Sequence, residues 1–462
     1  MRWWAFAVLA SACATAPGPR GAPEIVPPGR ALALGYGGHA DTDLSLEALM
    51  AGDFTLGARF LLQYPHAHAG PILAENGQGR FAMGLGDYRW GKGGFKQEGA
   101  PVLYVELGEA RLVFAPREPL VAHTWRHLAV VRHGAALTIY VDGEPEGTLA
   151  IAGSPVVRGT LRLGRRTAGR PAGRSGYAGQ YYGLIDDVVA LSRALSPEEV
   201  AGLSTATPTG HEPALALALT FDEGSPGVAR LEGDGELVPV SAERDGAADA
   251  GRIRLPVLEV PLHLPFPTGE AWLVGQGPDV RGGSHNGYAA FCWDFVLAHD
   301  AARSRGRAVL AAAPGRTVFV EDDARDGGPD ANQILIKASD EEFASYMHLE
   351  RHSIAAALGA QLHPPSLPDV VRGRLVGRVG DTGAGAGNYH LHFAVGNRTA
   401  FHPEAVTRPA AFDDYEVSTD GGRSWRVVTR GIPRSGEWVR RRRPPVGSVA
   451  ARTPDPDPRG LR

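Results

Sequence analysis

Short segments in which apolar and polar residues alternate recur through the first half of the chain. Residues 54–60 (Phe-Thr-Leu-Gly-Ala-Arg-Phe) and 137–141 (Leu-Thr-Ile-Tyr-Val) have this period of two and are bounded by turn residues, which is typical of β-strands. The pair Asp142-Gly143 suits a tight turn with positive φ, so the chain is predicted to fold back there as a hairpin. We therefore predict a β-sandwich over residues 30–222.

The end of this region carries the signals of one short helix and one more strand. Ser196, Pro197 and Glu199 suit the N-cap, the first and the third position of a helix that begins with a capping box. Residues 214–221 are predicted to form the last strand of the sandwich. Residues 223–254 are polar and rich in Gly and Asp, and they are predicted to be a linker.

A second β pattern occupies residues 255–410. Within it, apolar and polar residues alternate from 389 to 395, and His390 and His392 are separated by one residue. On a strand, two such side chains project to the same face, so the two imidazoles are predicted to share one pocket. His348 ends another strand-like segment and is expected either to close a strand or to serve as a catalytic imidazole.

Two residues upstream have the chemistry that a metal site would need. Asp294 lies between Trp293 and Phe295 in an apolar strand, where a carboxylate needs a cation or hydrogen-bond donors to stay charged. His285 lies in the turn-like segment before it. Catalytic zinc is held by three N or O ligands and keeps one position for water. A loop followed by a strand can bring both side chains to one metal.

These motifs, taken together and in this order, resemble the lysostaphin/LytM-type zinc metallopeptidases, most of which cut peptide bonds in peptidoglycan. The resemblance implies an antiparallel β-sheet domain in which His285, Asp294 and His392 bind Zn²⁺, while His348 and His390 stand near the bound water and the developing oxyanion. The matching pieces are His285 with Asp294, residues 312–318 (Ala-Ala-Pro-Gly-Arg-Thr-Val), 346–349 (Tyr-Met-His-Leu), 380–383 (Gly-Asp-Thr-Gly) and 390–393 (His-Leu-His-Phe).

The first of these motifs departs from the family pattern. The family has three residues between the first His and the Asp, whereas eight separate His285 from Asp294 here. His299 would be the nearest substitute if His285 were not a ligand. The sequence therefore predicts a zinc metalloendopeptidase acting on peptidoglycan cross-links or stem peptides. The alternative is a catalytically inactive, LytM-like binding or activator lipoprotein of the cell envelope.

The first domain also resembles a known fold, the laminin-G-like, concanavalin A-like jelly roll. Such domains bind glycans or proteins, so the resemblance implies a glycan or surface-protein partner that targets the peptidase. The acidic pair Asp186-Asp187 is expected to be a structural hydrogen-bonding element rather than a calcium site. The resemblance rests on residues 125–132 (Trp-Arg-His-Leu-Ala-Val-Val-Arg), 137–143, 182–188 (Tyr-Gly-Leu-Ile-Asp-Asp-Val) and 195–196.

The chain begins like an exported protein. Residues 1–12 have a basic start, a short apolar run and small residues, as in a signal peptide, and residues 9–13 (Leu-Ala-Ser-Ala-Cys) resemble a lipobox with Cys13 as the lipidated residue. Ordinary signal cleavage before Cys13 is the alternative. Residues 13–29 are predicted to be a linker. We expect a protein of the cell envelope that meets the membrane only through a lipid anchor.

Composition and the C-terminal region complete the prediction. The 462 residues suggest two domains, and a net charge of −4 argues against nucleic acid as a partner. Cys292 is the one cysteine besides Cys13 and is predicted to fill the core.

Residues 411–440 are predicted to form a β-hairpin tail, in which residues 418–425 resemble an Asp-box turn. Residues 441–462 are predicted to be flexible.

Overall fold

In the computed structural model, the chain folds mainly into β-strands. Among the residues described, no helix is long and apolar enough to cross a membrane. The predicted signal peptide and lipobox lie outside the described residues, as do His299 and the C-terminal residues from 443 onward. The described residues are 29–64, 70–77, 80–86, 102–151, 153, 156–165, 180–222, 225, 227–232, 235–239, 256, 258–278, 284–285, 289–297, 300–359, 367–397 and 407–442.

The strands of the first region form two antiparallel sheets. The strands are β1 Arg30–Leu34, β2 His39–Ser45, β3 Phe54–Leu62, β4 Gly70–Gly77, β5 Phe81–Gly86, β6 Val102–Leu107, β7 Ala110–Phe114, β8 Trp125–His133, β9 Ala136–Val141, β10 Glu144–Ala150, β11 Gly159–Leu163, β12 Gly183–Leu191, β13 Leu215–Leu219, β14 Ala229–Glu232 and β15 Gly235–Pro239. In the described residues, one sheet has the order β10-β9-β8-β3-β12-β1-β15, with β13 also paired to β12, and the other has the order β14-β2-β11-β4-β5-β6-β7.

The inner faces of the two sheets bury one apolar core, as the alternation of apolar residues requires. Leu56, Phe60, Leu128 and Ile139 of the first sheet pack in the same cluster as Phe81 of the second. Alternate residues of a strand project to opposite faces, so one face can be apolar throughout while the other meets water or a further layer. The predicted jelly-roll sandwich is confirmed.

Two local predictions for this region are confirmed. Strand β9 pairs with β10 across a turn in which Asp142 has φ 51° and Gly143 has φ 85°, the left-handed conformations that a tight hairpin demands. Helix α2, Pro197–Thr205, begins with a capping box in which Ser196 and Glu199 satisfy each other's backbone amides. A shorter helix, α1 Leu46–Met50, follows β2.

The prediction of a linker over residues 223–254 is wrong for part of that range. Strand β14 pairs with β2 at the edge of one sheet, and β15 pairs with β1 at the edge of the other. Strand β13 is therefore not the last strand of the sandwich. Gly and Asp mark turns in the sequence, but edge pairing supplies the backbone hydrogen bonds that keep these short polar segments extended.

The second region is built on one large antiparallel sheet. Its order in the described residues is β22-β19-β20-β21-β24-β17-β16-β27-β25-β26, and β18 pairs separately with β23. A 3₁₀ turn, Ala301–Ser304, and helix α3, Ser353–Leu358, pack beside it. The strands are β16 Ala271–Gln276, β17 Cys292–Val296, β18 Ala308–Leu310, β19 Gly315–Glu321, β20 Gln333–Ser339, β21 Glu342–Met347, β22 Asp369–Val370, β23 Leu375–Arg378, β24 Leu391–Gly396, β25 Phe412–Ser418, β26 Arg426–Gly431 and β27 Trp438–Arg441.

The predicted tail is a part of this sheet rather than an appendage. Strands β25 and β26 form the predicted hairpin. Strand β27 also pairs with β16, placing Trp438 opposite Leu273, and Val439 is fully buried in the core. A domain boundary at residue 410 is therefore wrong, because strands on both sides of it share one hydrogen-bonded sheet and one core.

Candidate metal centre

Three neighbouring strands bring the predicted site residues together. Strand β17 pairs with β24 so that Asp294 lies directly opposite His392, and β24 pairs with β21 so that His392 lies opposite Met347. Residues directly opposite each other on neighbouring strands project to the same face. Asp294 and His392 therefore meet on one face, and His348 follows at the end of β21.

The side chains of His285, Asp294 and His392 converge on a common point. Nε2 of His285 lies 3.1 Å from Oδ1 of Asp294 and 3.3 Å from Nδ1 of His392. Nδ1 of His392 lies 2.9 Å from the same oxygen of Asp294. All three residues implied as ligands thus stand together, including His285, although eight residues separate it from Asp294.

The spacing of these donor atoms fits a zinc ion. A tetrahedral zinc about 2.0–2.1 Å from each donor holds the donors about 3.3 Å apart. The three separations of 2.9, 3.1 and 3.3 Å are close to that edge length. The side chain of His285 is fully buried, whereas those of Asp294 and His392 are 17% and 16% exposed, which leaves an open side for water or a substrate.

The charges at this point are strongly coupled. Burial raises the pKa of Asp294, but hydrogen bonds from His285 and His392 outweigh it and hold that pKa well below its usual range. Burial lowers the pKa of His392, but contacts with Cys292 and Asp294 outweigh it and hold that pKa well above 6.5. Burial also lowers the pKa of His285. The carboxylate is charged and needs a positive partner, either a ring proton or a metal ion.

His348 stands beside the three ligands with its tautomer defined. Strand β21 ends at Met347, so His348 lies directly after the strand, as predicted for a histidine at a strand end, and its backbone has φ 63°. Its Nδ1 lies 2.7 Å from the carbonyl oxygen of Thr382. A carbonyl only accepts, so Nδ1 carries the proton and Nε2 keeps its lone pair. Burial and the neighbouring His390 and His392 rings lower the pKa of His348 to about 3.

His390 completes the group and has the same tautomer. Strand β24 begins at Leu391, one residue later than the prediction that both histidines lie within a strand, yet His390 still faces the site. Its Nδ1 lies 2.9 Å from the carbonyl oxygen of Asn388, and its Nε2 lies 3.5 Å from Oδ1 of Asp294. The rings of His348 and His390 are 4.6 Å apart between centroids. Together with His392 they form a second group of possible metal ligands that overlaps the first.

Thr382 is a residue of the site whose role cannot be read from its motif alone. Its carbonyl accepts from His348, while its hydroxyl donates to the carbonyl of Leu349 and accepts from the amide of Asn332. Asp381 beside it accepts from the backbone amides of two loops. The signal was present in the Gly-Asp-Thr-Gly run, but the sequence gives no hint that its backbone oxygen orients an imidazole.

Cys292 is buried, as expected of a core residue, but it also contacts the site. It lies two residues before Asp294 on β17, so the two side chains share a face of the strand. The side chain of Cys292 is close enough to the His392 ring to contribute to the raised pKa of that histidine. The two-residue spacing from Asp294 could have indicated this neighbour.

The acidic pair of the sandwich, Asp186 and Asp187, lies apart from this centre and contacts other groups of the protein. Asp187 forms a buried ion pair with Arg59, with 2.9 Å between Oδ2 and Nε. Oδ1 of Asp186 accepts from the backbone amide of Asp187 at 2.8 Å. Strand β12 has an irregular register at this pair, and Asp187 has φ 46°. These contacts agree with a structural role.

Comparison with known proteins gives a family match for the first region. Residues 35–201 match the family model of the concanavalin A-like lectin/glucanases superfamily. No curated protein matches the chain. A Bacteroides ovatus protein assigned as a candidate carbohydrate binding protein is 16% identical over 47% of this chain, with a TM-score of 0.37, and the chain spans 61% of that protein's length.

Two other solved structures show a limited similarity to the chain. The heptameric SAP-like pentraxin from Limulus polyphemus is 14% identical, with 49% of this chain and 93% of that chain covered and a TM-score of 0.32. The catalytic domain of the prophage-encoded M23 protein EnpA from Enterococcus faecalis, solved as a point mutant, is 19% identical. It covers 32% of this chain and 92% of its own, with a TM-score of 0.22.

Proposed function

We propose that this chain is a zinc-dependent metalloendopeptidase that hydrolyses peptide bonds in peptidoglycan. The observation that carries the proposal is the convergence of His285, Asp294 and His392, whose donor atoms are 2.9–3.3 Å apart, with two further histidines beside them. Peptidoglycan as the substrate follows from the resemblance to the lysostaphin/LytM-type enzymes. A binding or activator protein with the same fold would have no chemical need for the two additional rings.

The three converging residues would hold the metal, and the remaining two would handle protons. Bound zinc would lower the pKa of a water molecule to about 7 and polarise a carbonyl. His348 has its Nδ1 bound to the Thr382 carbonyl, so its Nε2 is free of that contact and would be placed to accept a proton from a water molecule at this point. The ring of His390 faces the same point, with its Nε2 3.5 Å from Oδ1 of Asp294, and would be the group that steadies an oxyanion.

Metal content and wall hydrolysis test this proposal directly. The purified chain is expected to carry about one zinc and to release free amino groups from purified peptidoglycan. A His392→Ala variant should lose both properties, whereas a His133→Ala variant should keep both, because His133 is an exposed residue of the sandwich. The binding or activator function is correct instead if the wild-type chain contains no zinc, still binds cell walls, and releases no amino groups even when zinc is added.

We also propose that the sandwich targets the enzyme by binding a glycan or a surface protein. This rests on the match of residues 35–201 to the concanavalin A-like lectin/glucanases superfamily. Pull-down of the chain with purified cell-wall glycans, compared with a chain that lacks residues 30–239, tests it. Equal retention of the two chains would reduce the sandwich to a spacer.

Export and lipidation belong to the same proposal. The chain would be processed at Cys13 and anchored in the cell envelope by lipid, which places a wall hydrolase next to its substrate. A mass spectrum of the mature N-terminus should show a diacylglyceryl modification on Cys13. An unmodified Cys13 would indicate ordinary signal cleavage and an unanchored enzyme.

A further inference from the structure

An aromatic cluster joins the sandwich to the strand that carries Asp294. The ring of Phe291 lies 4.7 Å from that of Tyr64 and 5.2 Å from that of Tyr182, both in edge-to-face geometry. The three side chains are 1%, 7% and 3% exposed. Edge-to-face rings at these distances attract beyond the effect of burial alone. The sandwich therefore encloses a residue of the metal-binding sheet.

The two tyrosines form a rigid support. Tyr64 follows the end of β3 and Tyr182 precedes β12, two central strands that pair with Leu62 opposite Gly183. The amide of Gln63 donates to the carbonyl of Tyr182 at 3.3 Å, and the Tyr64 and Tyr182 rings are themselves 6.3 Å apart. Because both residues extend directly from the sandwich sheet, their positions follow from its core.

Phe291 lies within the segment that connects two of the proposed ligands. It is six residues after His285 and three before Asp294, and β17 begins at the next residue. Its amide donates to the hydroxyl of Thr407 at 3.0 Å. The eight-residue spacing that departs from the lysostaphin/LytM-type pattern is thus the part of the chain that reaches the sandwich.

A second contact supports the strand that carries His392. The guanidinium of Arg408 stacks on the Tyr36 ring of the sandwich, 3.7 Å from its centroid. The amide of Arg408 donates to the carbonyl of Val395 in β24 at 2.8 Å. Each ligand-bearing strand is therefore next to a residue that packs on the sandwich. This residue is Phe291 for β17 and Arg408 for β24.

We propose that Tyr64 and Tyr182 are positioning residues of the metal centre, which set the course of residues 289–294, and with it the position of Asp294, by enclosing Phe291. The sandwich then has a role beyond carrying the enzyme to its target, because the ligand geometry depends on it. The link to catalysis rests on the proposed zinc peptidase function, whereas the ordering of the segment does not.

Hydrogen exchange of the metal-free chain tests the positioning itself. In Tyr64→Ala, the amides of residues 289–297 should exchange at least tenfold faster than in the wild type. Tyr64→Phe should restore slow exchange, because it keeps the ring that contacts Phe291 and removes only the hydroxyl, which accepts from Nε2 of Gln63. Tyr140→Ala removes a buried aromatic ring elsewhere in the sandwich and serves as the control. Equal exchange in Tyr64→Ala and Tyr140→Ala would overturn the proposal.

Zinc affinity and turnover measure the consequence for the site. Residues that support metal ligands typically change metal affinity by about 10–100-fold, so Tyr64→Ala and Phe291→Ala should weaken zinc binding by roughly tenfold or more. Tyr64→Phe and Tyr140→Ala should stay within twofold of the wild type. Unchanged zinc affinity in Tyr64→Ala would also contradict the proposal. A wild-type chain without zinc binding would defeat the proposed function, and the exchange data would still decide the positioning.

Discussion

Nδ1 of His348 lies 2.7 Å from the backbone carbonyl oxygen of Thr382, and this contact defines which ring nitrogen faces the site. The hydroxyl of Thr382 is itself fixed between the carbonyl of Leu349 and the amide of Asn332. Nε2 of His348 must carry a lone pair if it is to accept a proton. The Thr382 carbonyl orients this ring, and the position of that carbonyl depends on the buried Thr382 side chain. This arrangement leads to the first prediction.

Replacing Thr382 by Val should lower kcat without releasing the metal. Val keeps the shape but leaves the backbone amide of Asn332 without its acceptor and removes one of the two donors to the Leu349 carbonyl, which also accepts from Nδ2 of Asn332. An unsatisfied buried amide costs about 1–3 kcal/mol, and the loss of these bonds loosens the carbonyl that orients His348. We expect kcat for peptidoglycan hydrolysis to fall roughly tenfold, since misplacement of a catalytic group by a fraction of an ångström is costly. Thr382→Ser should retain activity, and a Thr382→Val enzyme with wild-type kcat would refute this role.

The two histidines outside the ligand set should affect turnover rather than metal binding. His348→Ala and His390→Ala are each expected to lower kcat by about 10²-fold or more, because each removes one proton-transfer or oxyanion group. Zinc content, measured by plasma emission, should stay near that of the wild type. Loss of zinc from His390→Ala would contradict this division and favour the second group of ligands, His348, His390 and His392.

The sandwich should lose stability as the pH falls below neutral because of His127. Burial and the nearby charge of Arg59 lower the pKa of this histidine to about 3, whereas the unfolded value is near 6.5. Between these values the unfolded chain binds more protons, so the free energy of unfolding should fall by about 1.4 kcal/mol for each pH unit below 6.5. The stability contribution is complete above pH 6.5 and is lost toward pH 3.

Urea unfolding at pH 6.5 and pH 5.5 measures this slope. A His127→Phe variant cannot titrate at this position and should lose about 1 kcal/mol less than the wild type between the two pH values, because the unfolded histidine is already half protonated at pH 6.5. His133→Ala, a change at an exposed histidine of the same strand, should keep the wild-type slope. Identical slopes for His127→Phe and the wild type would show that His127 is not buried in its neutral form.

The buried ion pair between Arg59 and Asp187 should be sensitive to the loss of one partner. Both side chains are almost fully buried, so Arg59→Met would leave a carboxylate without its cation and should cost about 3–5 kcal/mol of unfolding free energy. Arg193→Met breaks the exposed pair with Glu199 and should cost less than about 1 kcal/mol. Denaturant titrations that give equal losses for both variants would argue against a structural role for this pair.

The local parts of the fold could be predicted from local signals. Alternation from residue 54 to 60 predicts β3, the Asp142-Gly143 pair predicts the β9–β10 hairpin, and Ser196 with Glu199 predicts the start of α2. These predictions succeed because each depends on residues a few positions apart, whose backbone preferences and hydrogen bonds act without help from the rest of the chain.

The edges of the sheets could not be predicted in the same way. Strands β14 and β15 are short, and their sequence resembles a linker, while β27 follows a segment that resembles an isolated tail. Their extended backbone depends on hydrogen bonds to β2, β1 and β16, which are distant in sequence. Only the completed sheets supply those partners.

The sequence by itself determined the residue types of the candidate metal centre, since His390, His392 and Asp294 each have a local pattern that demands a polar function. The tertiary structure alone decided that His285 reaches the same point, that a carbonyl of Thr382 orients His348, and that two tyrosines of the sandwich enclose Phe291. Those relationships join residues on different strands and in different regions. Strand order and register create them, and neither follows from the spacing of residues along the chain.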